Sequence, residues 1–259
     1  MRTRVAMMLA LLLVGGGVSV NAQASSLDVD ALVKKGAQAV LERSDSEANP
    51  YANRTMSVQM TLNGDGDVDK KLAMEMFSKG ATKTALRFKA PADLKGLALV
   101  IKGSSEIYVK LPGTRKVRRV ASHARKQGFQ GTDWSLDDLR MLKLAPVFDP
   151  TIKEVTATHI VLDLTRKASA DVPYKRLVVY LPKAHLVPDR IEYFDEEGTQ
   201  VKLQTRERLV EFEGGKKGFL KNTMKDLARN HTTALEVLKQ STDPISDKVF
   251  SKRWLVRGT

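Results

Sequence analysis

The alternation that begins at Arg54 restricts the fold more than any other feature of the chain. Met56, Val58, Met60 and Leu62 are spaced two apart and separated by Ser57, Gln59 and Thr61. Successive side chains of an extended chain point to opposite faces, so this stretch reads as a strand with one apolar and one wet face. Asn63-Gly64-Asp65-Gly66-Asp67 follows, residues that tolerate the positive φ of a tight turn. The pattern then returns, with Leu72, Met74 and Met76 on one side and Ala73, Glu75 and Phe77 on the other. A hairpin with one apolar face is not stable alone; it needs more strands and something to cover it.

More strands are legible. Alternation recurs around Leu86 and Phe88, Leu97 to Ile101, Ile107 to Leu111 and Val117 to Ala121. It returns at Ile160 to Leu164, Leu177 to Leu181, Ile191 and Tyr193, Val201 and Leu203, and Leu235 and Val237. Turn signals such as Glu196-Glu197-Gly198 and Arg229-Asn230 lie between them. Ahead of the strands, Val29, Leu32, Val33, Gly36, Val40 and Leu41 recur at helical spacing behind Ser26 or Asp28 as N-cap. That predicts a helix to about Arg43, with 44–53 as a connection. No repeat, low-complexity run or linker divides the chain. The expectation is one α+β domain over residues 25–259, a long antiparallel sheet of about ten strands with a few helices on one face.

So long a sheet curls as its twist accumulates. Its concave face either fills with side chains or leaves a cavity. The alternation puts Met56, Met60, Met74 and Met76 on a single face. Methionine both fills irregular cores and lines promiscuous apolar sites, so the four allow either outcome.

The N-terminus reads as an export signal. Arg2 and Arg4 precede an apolar run from Val5 to Leu13, and Asn21-Ala22-Gln23-Ala24 has the small-residue spacing of a cleavage site. Residues 1–24 are therefore expected to be removed, leaving a chain that is not membrane-anchored. The chain has no Cys, which excludes disulfides, thiol catalysis, thiolate metal sites and a lipidated N-terminal cysteine. The formal charge is +13, a surface drawn to polyanions. Outside the cytoplasm anionic lipid is the more economical partner and nucleic acid is not expected. The alternative is that the lysines only keep a β-rich protein in solution.

One stretch departs from the alternation, "GFQGTDWSLDDL" from Gly128 to Leu139, with Asp133, Asp137 and Asp138 close together. With Ser135 as N-cap, Asp138 falls at N3 of a capping box and Asp137 lies in the first turn, where the helix dipole favours an acid. Trp134 and Leu139 then take the two positions of a hydrophobic staple. Only Asp133 lacks a structural job. Catalysis would need a base or metal ligand within reach, and His123, His159, His185 and His231 show no metal-ligand spacing. No nucleophile elbow or phosphate-binding glycine loop is present. The stretch reads as a helix entrance in a protein that is not an enzyme and has no catalytic, metal or cofactor site.

Taken in order, "RFKAPADLKGLALVIK", "IYVKLPGTRKVRRV" and "GFQGTDWSLDDL" resemble the successive signatures of the outer-membrane lipoprotein-sorting, LolA-like family. Pro91, Asp93, Lys95 and Gly96 match the first signature, and Tyr108, Pro112, Arg115, Arg118 and Arg119 the second. In the third, Thr132 and Trp134 stand where Ser and Phe are more usual. "DPISDKVFSKRWL" is similar to the family's ending, a short turn holding Phe250. The resemblance implies an incomplete antiparallel β-barrel with helices over its open side, around an apolar cavity that accepts acyl chains of a lipid or lipoprotein. Residues assigned to the cavity are Met56, Val58, Met60, Leu72, Met74, Met76, Leu99 and Ile101. Phe129, Trp134 and Leu139 are assigned to the lid or helix entrance. Arg115, Arg118 and Arg119, beside Lys116, Arg125 and Lys126, are assigned to an anionic headgroup, membrane surface or acidic partner. Similar proteins are linked with RND-type exporters, so docking on an inner-membrane exporter is the second functional expectation.

Overall fold

The computed structural model describes residues 27–64, 70–103 and 105–257. The expected signal peptide and most of the first turn lie outside them. Thirteen strands form one antiparallel sheet. They are β1 (Asn53–Asn63), β2 (Lys70–Lys79), β3 (Lys83–Ala90), β4 (Ala98–Lys102), β5 (Glu106–Lys110), β6 (Val117–Arg119), β7 (Phe148–Val155), β8 (His159–Arg166), β9 (Arg176–Pro182), β10 (Arg190–Phe194), β11 (Gln200–Phe212), β12 (Lys216–Asp226) and β13 (His231–Ser241). Two meanders, β1 to β6 and β7 to β13, are joined where β1 pairs with β13. The outer strands β6 and β7 stay as edges, so the curled sheet does not close. The expected α+β incomplete barrel is the observed fold.

The first hairpin pairs as its alternation requires. Met56 faces Met76, Val58 faces Met74 and Met60 faces Leu72, so all six project on one side, where all are buried. They join one continuous apolar cluster that extends to Leu162, Leu177 and Val179 in the other half of the sheet. Period two then divides β3 and β4. Leu86, Leu99 and Ile101 enter that cluster, whereas Ala85, Ala98 and Val100 turn to the opposite face. There they pack with Phe250 and Leu255 from the C-terminal turn and α4 (Lys252–Arg257). Trp254 is wedged beside them, under the Arg87 guanidinium at 4.0 Å and edge-on to Phe77.

The predicted first helix is two: α1 (Val29–Lys34) and α2 (Ala37–Ala48). Gly36 breaks them with φ of 100°, a conformation that side chains other than glycine rarely adopt. α2 continues past Arg43 because Asp45 is tied to a distant loop, its carboxylate accepting the Leu144 and Ala145 N–H groups at 2.9–3.0 Å. It ends before Pro50. Val40 and Leu41, fully buried, seat α2 in the main cluster, and the helix packs on β7 and β12. The sheet exceeds ten strands because β7 and β12 escape the pattern. β7 is an edge with Pro150, Lys153 and Glu154, and β12 is half-buried along both faces, so neither keeps a clean apolar side.

Candidate functional site

Between the concave face and the helices lies a cavity of about 250 Å³. Met56 and Met76 border it from β1 and β2, Leu235 and Val237 from β13, Ile191 and Tyr193 from β10, and Trp134 and Leu139 from the helix entrance. Beside it is a void of about 10 Å³ between Met60, Met74, Phe88 and Phe129. Met76, Trp134 and Leu139 border both spaces and form the wall between them. All four methionines and all three entrance residues assigned from sequence thus meet one or both spaces.

Val58, Leu72, Leu99 and Ile101 do not. They are buried in the same cluster, each 2% exposed or less, but border neither space. The larger cavity lies over β1, β2 and the β10–β13 strands, whereas Leu99 and Ile101 stand on β4, toward the other edge. Val58 and Leu72 are packed against Met74 and Met60 directly across the hairpin.

The helix entrance forms as its residues dictate. Ser135 Oγ accepts the Asp138 N–H at 3.1 Å, while Asp138 Oδ2 accepts the Ser135 N–H at 2.7 Å, closing the capping box ahead of α3 (Leu136–Arg140). Asp138 also accepts from Tyr174 Oη at 2.7 Å and Lys202 Nζ at 2.8 Å, which ties α3 to β11. Burial, then the Asp138 charge, raise the Tyr174 hydroxyl well above its usual pKa, so it stays a donor. Asp137 takes the Arg140 Nε at 2.6 Å, with Arg125 Nε 3.5 Å away. Gly128 is required because a Cβ there would stand 2.3 Å from the Thr132 carbonyl oxygen.

Asp133, without a role in the sequence, has one here. It is fully buried and accepts from Thr233 Oγ1, His231 Nδ1 and Arg229 Nη2, each at 2.7 Å. Its own N–H donates to Thr233 Oγ1 at 3.0 Å. The carboxylate pins the entrance loop to the β12–β13 turn. All three aspartates are consumed by structure, and among the described residues no three acids or histidines form a metal-holding group.

Polar groups on the cavity were not anticipated. Arg54, Arg206, Gln204 and Asn222 border it, with the exposed Lys217 as a third cation. Burial lowers the pKa of both guanidinium groups, and the positive charge of Arg206 lowers that of Arg54 further. Arg206 Nη1 donates to the Pro188 carbonyl at 3.2 Å, while its Nε is sealed from solvent and makes no hydrogen bond. The sequence signal was faint: Gln204 and Arg206 are two apart in a run whose apolar members, Val201 and Leu203, drew attention to the other face.

The basic segment divides. Arg115, Arg118 and Arg119 are exposed, as are Lys116 and Lys126, and the three arginines form no ion pair among the described residues. Arg125 is instead buried, reaching Asp171 at 2.5 Å and lying near Asp137, so it belongs to the entrance and not to a basic surface. A side chain flanked by exposed cations gave no hint of this, because its partners are 12 and 46 residues away in sequence.

No curated protein matches the chain. Solved structures do. A candidate outer membrane lipoprotein-sorting protein domain from Vibrio parahaemolyticus superposes with TM-score 0.77 at 19% identity, covering 86% of this chain and 99% of that one. A DUF1329 family protein from Desulfovibrio piger gives 0.78 at 20% identity over 86% and 99%. A LolA superfamily protein from Nitrosomonas europaea gives 0.71 at 19% over 85% and 99%. A family model described as "Uncharacterized protein" matches residues 80–257. The chain belongs to that family, and its fold is that of the LolA-like lipoprotein-sorting proteins.

Proposed function

We propose that the protein is a soluble periplasmic carrier that holds acyl chains of a lipid or lipoprotein in this cavity and moves them between membranes. The observation that carries the reading is the space bordered by Met56, Met76, Leu235, Val237, Trp134 and Leu139 on the concave face of a LolA-like sheet. Each buried methylene is worth about 0.8 kcal/mol, so a sixteen-carbon chain costs roughly 12 kcal/mol to carry bare through water. A carrier must offset most of that and still release its cargo. Flexible methionines and a movable wall meet both demands better than a rigid core.

The Trp134–Leu139 wall stands between the larger cavity and the void beyond it, and its movement would join the two into one longer space for a tail. No role in chemistry is assigned to Asp133, Asp137 or Asp138, since each already serves a structural network. Native purification followed by mass spectrometry tests the reading: acyl chains at near one equivalent are expected, and a lipid-free protein that also takes up none in reconstitution would refute it.

A second reading is favoured by Arg115, Arg118 and Arg119, exposed and without acidic partners among the described residues. In it the protein is a non-enzymatic accessory subunit that meets an RND-type exporter, or an anionic membrane surface, through this segment. Carrier and docking roles use different surfaces and are compatible.

A further inference from the structure

The cavity carries more positive charge than an acyl chain needs. Two carboxylates border it, and both are satisfied: Asp45 by the N–H groups of Leu144 and Ala145, and Asp138 by Ser135, Tyr174 and Lys202. Two guanidinium groups border it as well. Neither Arg54 nor Arg206 forms an ion pair among the described residues, and Arg206 keeps a sealed, unbonded Nε. A cation removed from water is costly unless an anion meets it, and a second cation nearby raises that cost. In the protein alone, the Asp189 carboxylate, which forms no ion pair with Arg206, offsets only part of this, so the pair is an unfavourable arrangement. Around an anion it becomes a fork of donors suited to a carboxylate or phosphate.

Position adds direction. Arg54 and Met56 are two apart on β1 and face the same cavity, and Met60 lies further along the same face at the small void. Six residues at about 3.4 Å each separate Arg54 from Met60 by roughly 20 Å. That is the order of length of an extended long acyl chain. The face therefore runs from a cationic end to an apolar end.

On the basis of the carrier reading above, we propose that Arg54 and Arg206 clamp an anionic head inside the cavity, so that the cargo is a single-chain amphiphile ending in carboxylate or phosphate. Its tail lies along Met56 and Met76 toward the Trp134–Leu139 wall.

The test is equilibrium binding to the purified, delipidated protein, with palmitate and palmitoyl lysophosphatidic acid as anionic probes and hexadecanol and monopalmitoylglycerol as neutral ones. Wild type is expected to bind the anions about tenfold or more tightly than the neutral lipids. Between the anions, the tighter one tells a carboxylate head from a phosphate. In Arg54→Met/Arg206→Met the anion preference should vanish while neutral binding stays within about twofold. Melting of the ligand-free double variant should not fall, because two half-buried cations without an ion-pair partner have been removed. Arg54→Gln alone gives the same reading, with partial loss of preference, should the double variant not fold. Equal affinity for anionic and neutral chains in wild type overturns the clamp but leaves the carrier standing. Preference retained in a folded double variant also overturns it. Failure of wild type to bind any of the four probes overturns both.

Discussion

Replacing Asp133 by alanine separates a structural entrance from a catalytic one. The side chain is fully buried, and three donors meet it at 2.7 Å: the Thr233 hydroxyl, the His231 ring and the Arg229 guanidinium. Breaking a buried charged network by removing one partner typically costs about 3–5 kcal/mol. Arg229 is 48% exposed at its side chain, so water recovers part of its loss, and the lower end, about 3 kcal/mol, is the better figure. Thr233 is fully buried and regains nothing. At about 2–4 °C per kcal/mol for a chain of this size, the melting temperature should fall by roughly 6–12 °C. Asp133→Asn keeps the shape and an acceptor for Thr233 and should cost less, about 1–2 kcal/mol. Urea and thermal unfolding of wild type and both variants, with acyl content measured on each folded sample, is the assay. An Asp133→Ala protein within about 0.5 kcal/mol of wild type would refute the anchor argument. Loss of a lipid-hydrolysing activity in an Asp133→Asn protein of unchanged stability would refute the non-enzymatic reading.

Three further outcomes are expected. Met56→Glu with Met76→Glu places two carboxylates on the cavity wall and should abolish acyl co-purification; a folded double variant with a full load, read by mass spectrometry, would contradict the cavity assignment. Replacing Arg115, Arg118 and Arg119 by Gln should weaken sedimentation with anionic vesicles by up to about 1 kcal/mol per residue at low salt, and unchanged sedimentation would leave these residues as solvated surface. For Asp226, burial raises the carboxyl pKa, but the bonds and charge of Arg229 outweigh it and the net value lies below 3.8. A depressed folded-state value stabilises above the unfolded one and is lost as pH falls through the folded one. The stability advantage of wild type over Asp226→Asn should therefore be present at pH 7 and close at acid pH below 3.8; a gap that persists there in thermal melts would contradict the linkage.

The two-residue period made the sheet legible because a half-buried strand must alternate whatever its neighbours do. The register of Met56 on Met76 and of Met60 on Leu72 follows from it. The same rule hid β7 and β12, an edge and a strand half-buried along both faces, where no side is consistently apolar. The capping box was legible because its partners are three residues apart. What was not legible is long-range. Asp133 finds Thr233 across 100 residues, Arg125 turns inward to meet Asp171, and Arg54 comes to share a cavity with Arg206. Polar residues facing inward break the apolar-in rule, and nothing local distinguishes them from solvated ones. Apolar residues raise the converse point: Val58, Leu72, Leu99 and Ile101 face inward, but facing a core and bordering its space differ.

For the carrier proposed above, the helix entrance has to be firm and movable at once, and its residues divide the two tasks. Asp133 holds one end to β13 through Thr233, and Asp138 holds the start of α3 through Lys202 and Tyr174. Those polar anchors are buried and directional, so they resist displacement. Trp134 and Leu139 stand between and after them and touch both spaces; their main chains are hydrogen-bonded, but their side chains form no hydrogen bond among the described residues. Apolar contact has no preferred direction, so the two side chains can change rotamer without breaking an anchor. The wall can thus yield to a tail while the loop stays fixed to the sheet. For the carrier proposed above, cargo entry would change side-chain packing more than fold, and the carboxylates that look catalytic in sequence would keep that change local.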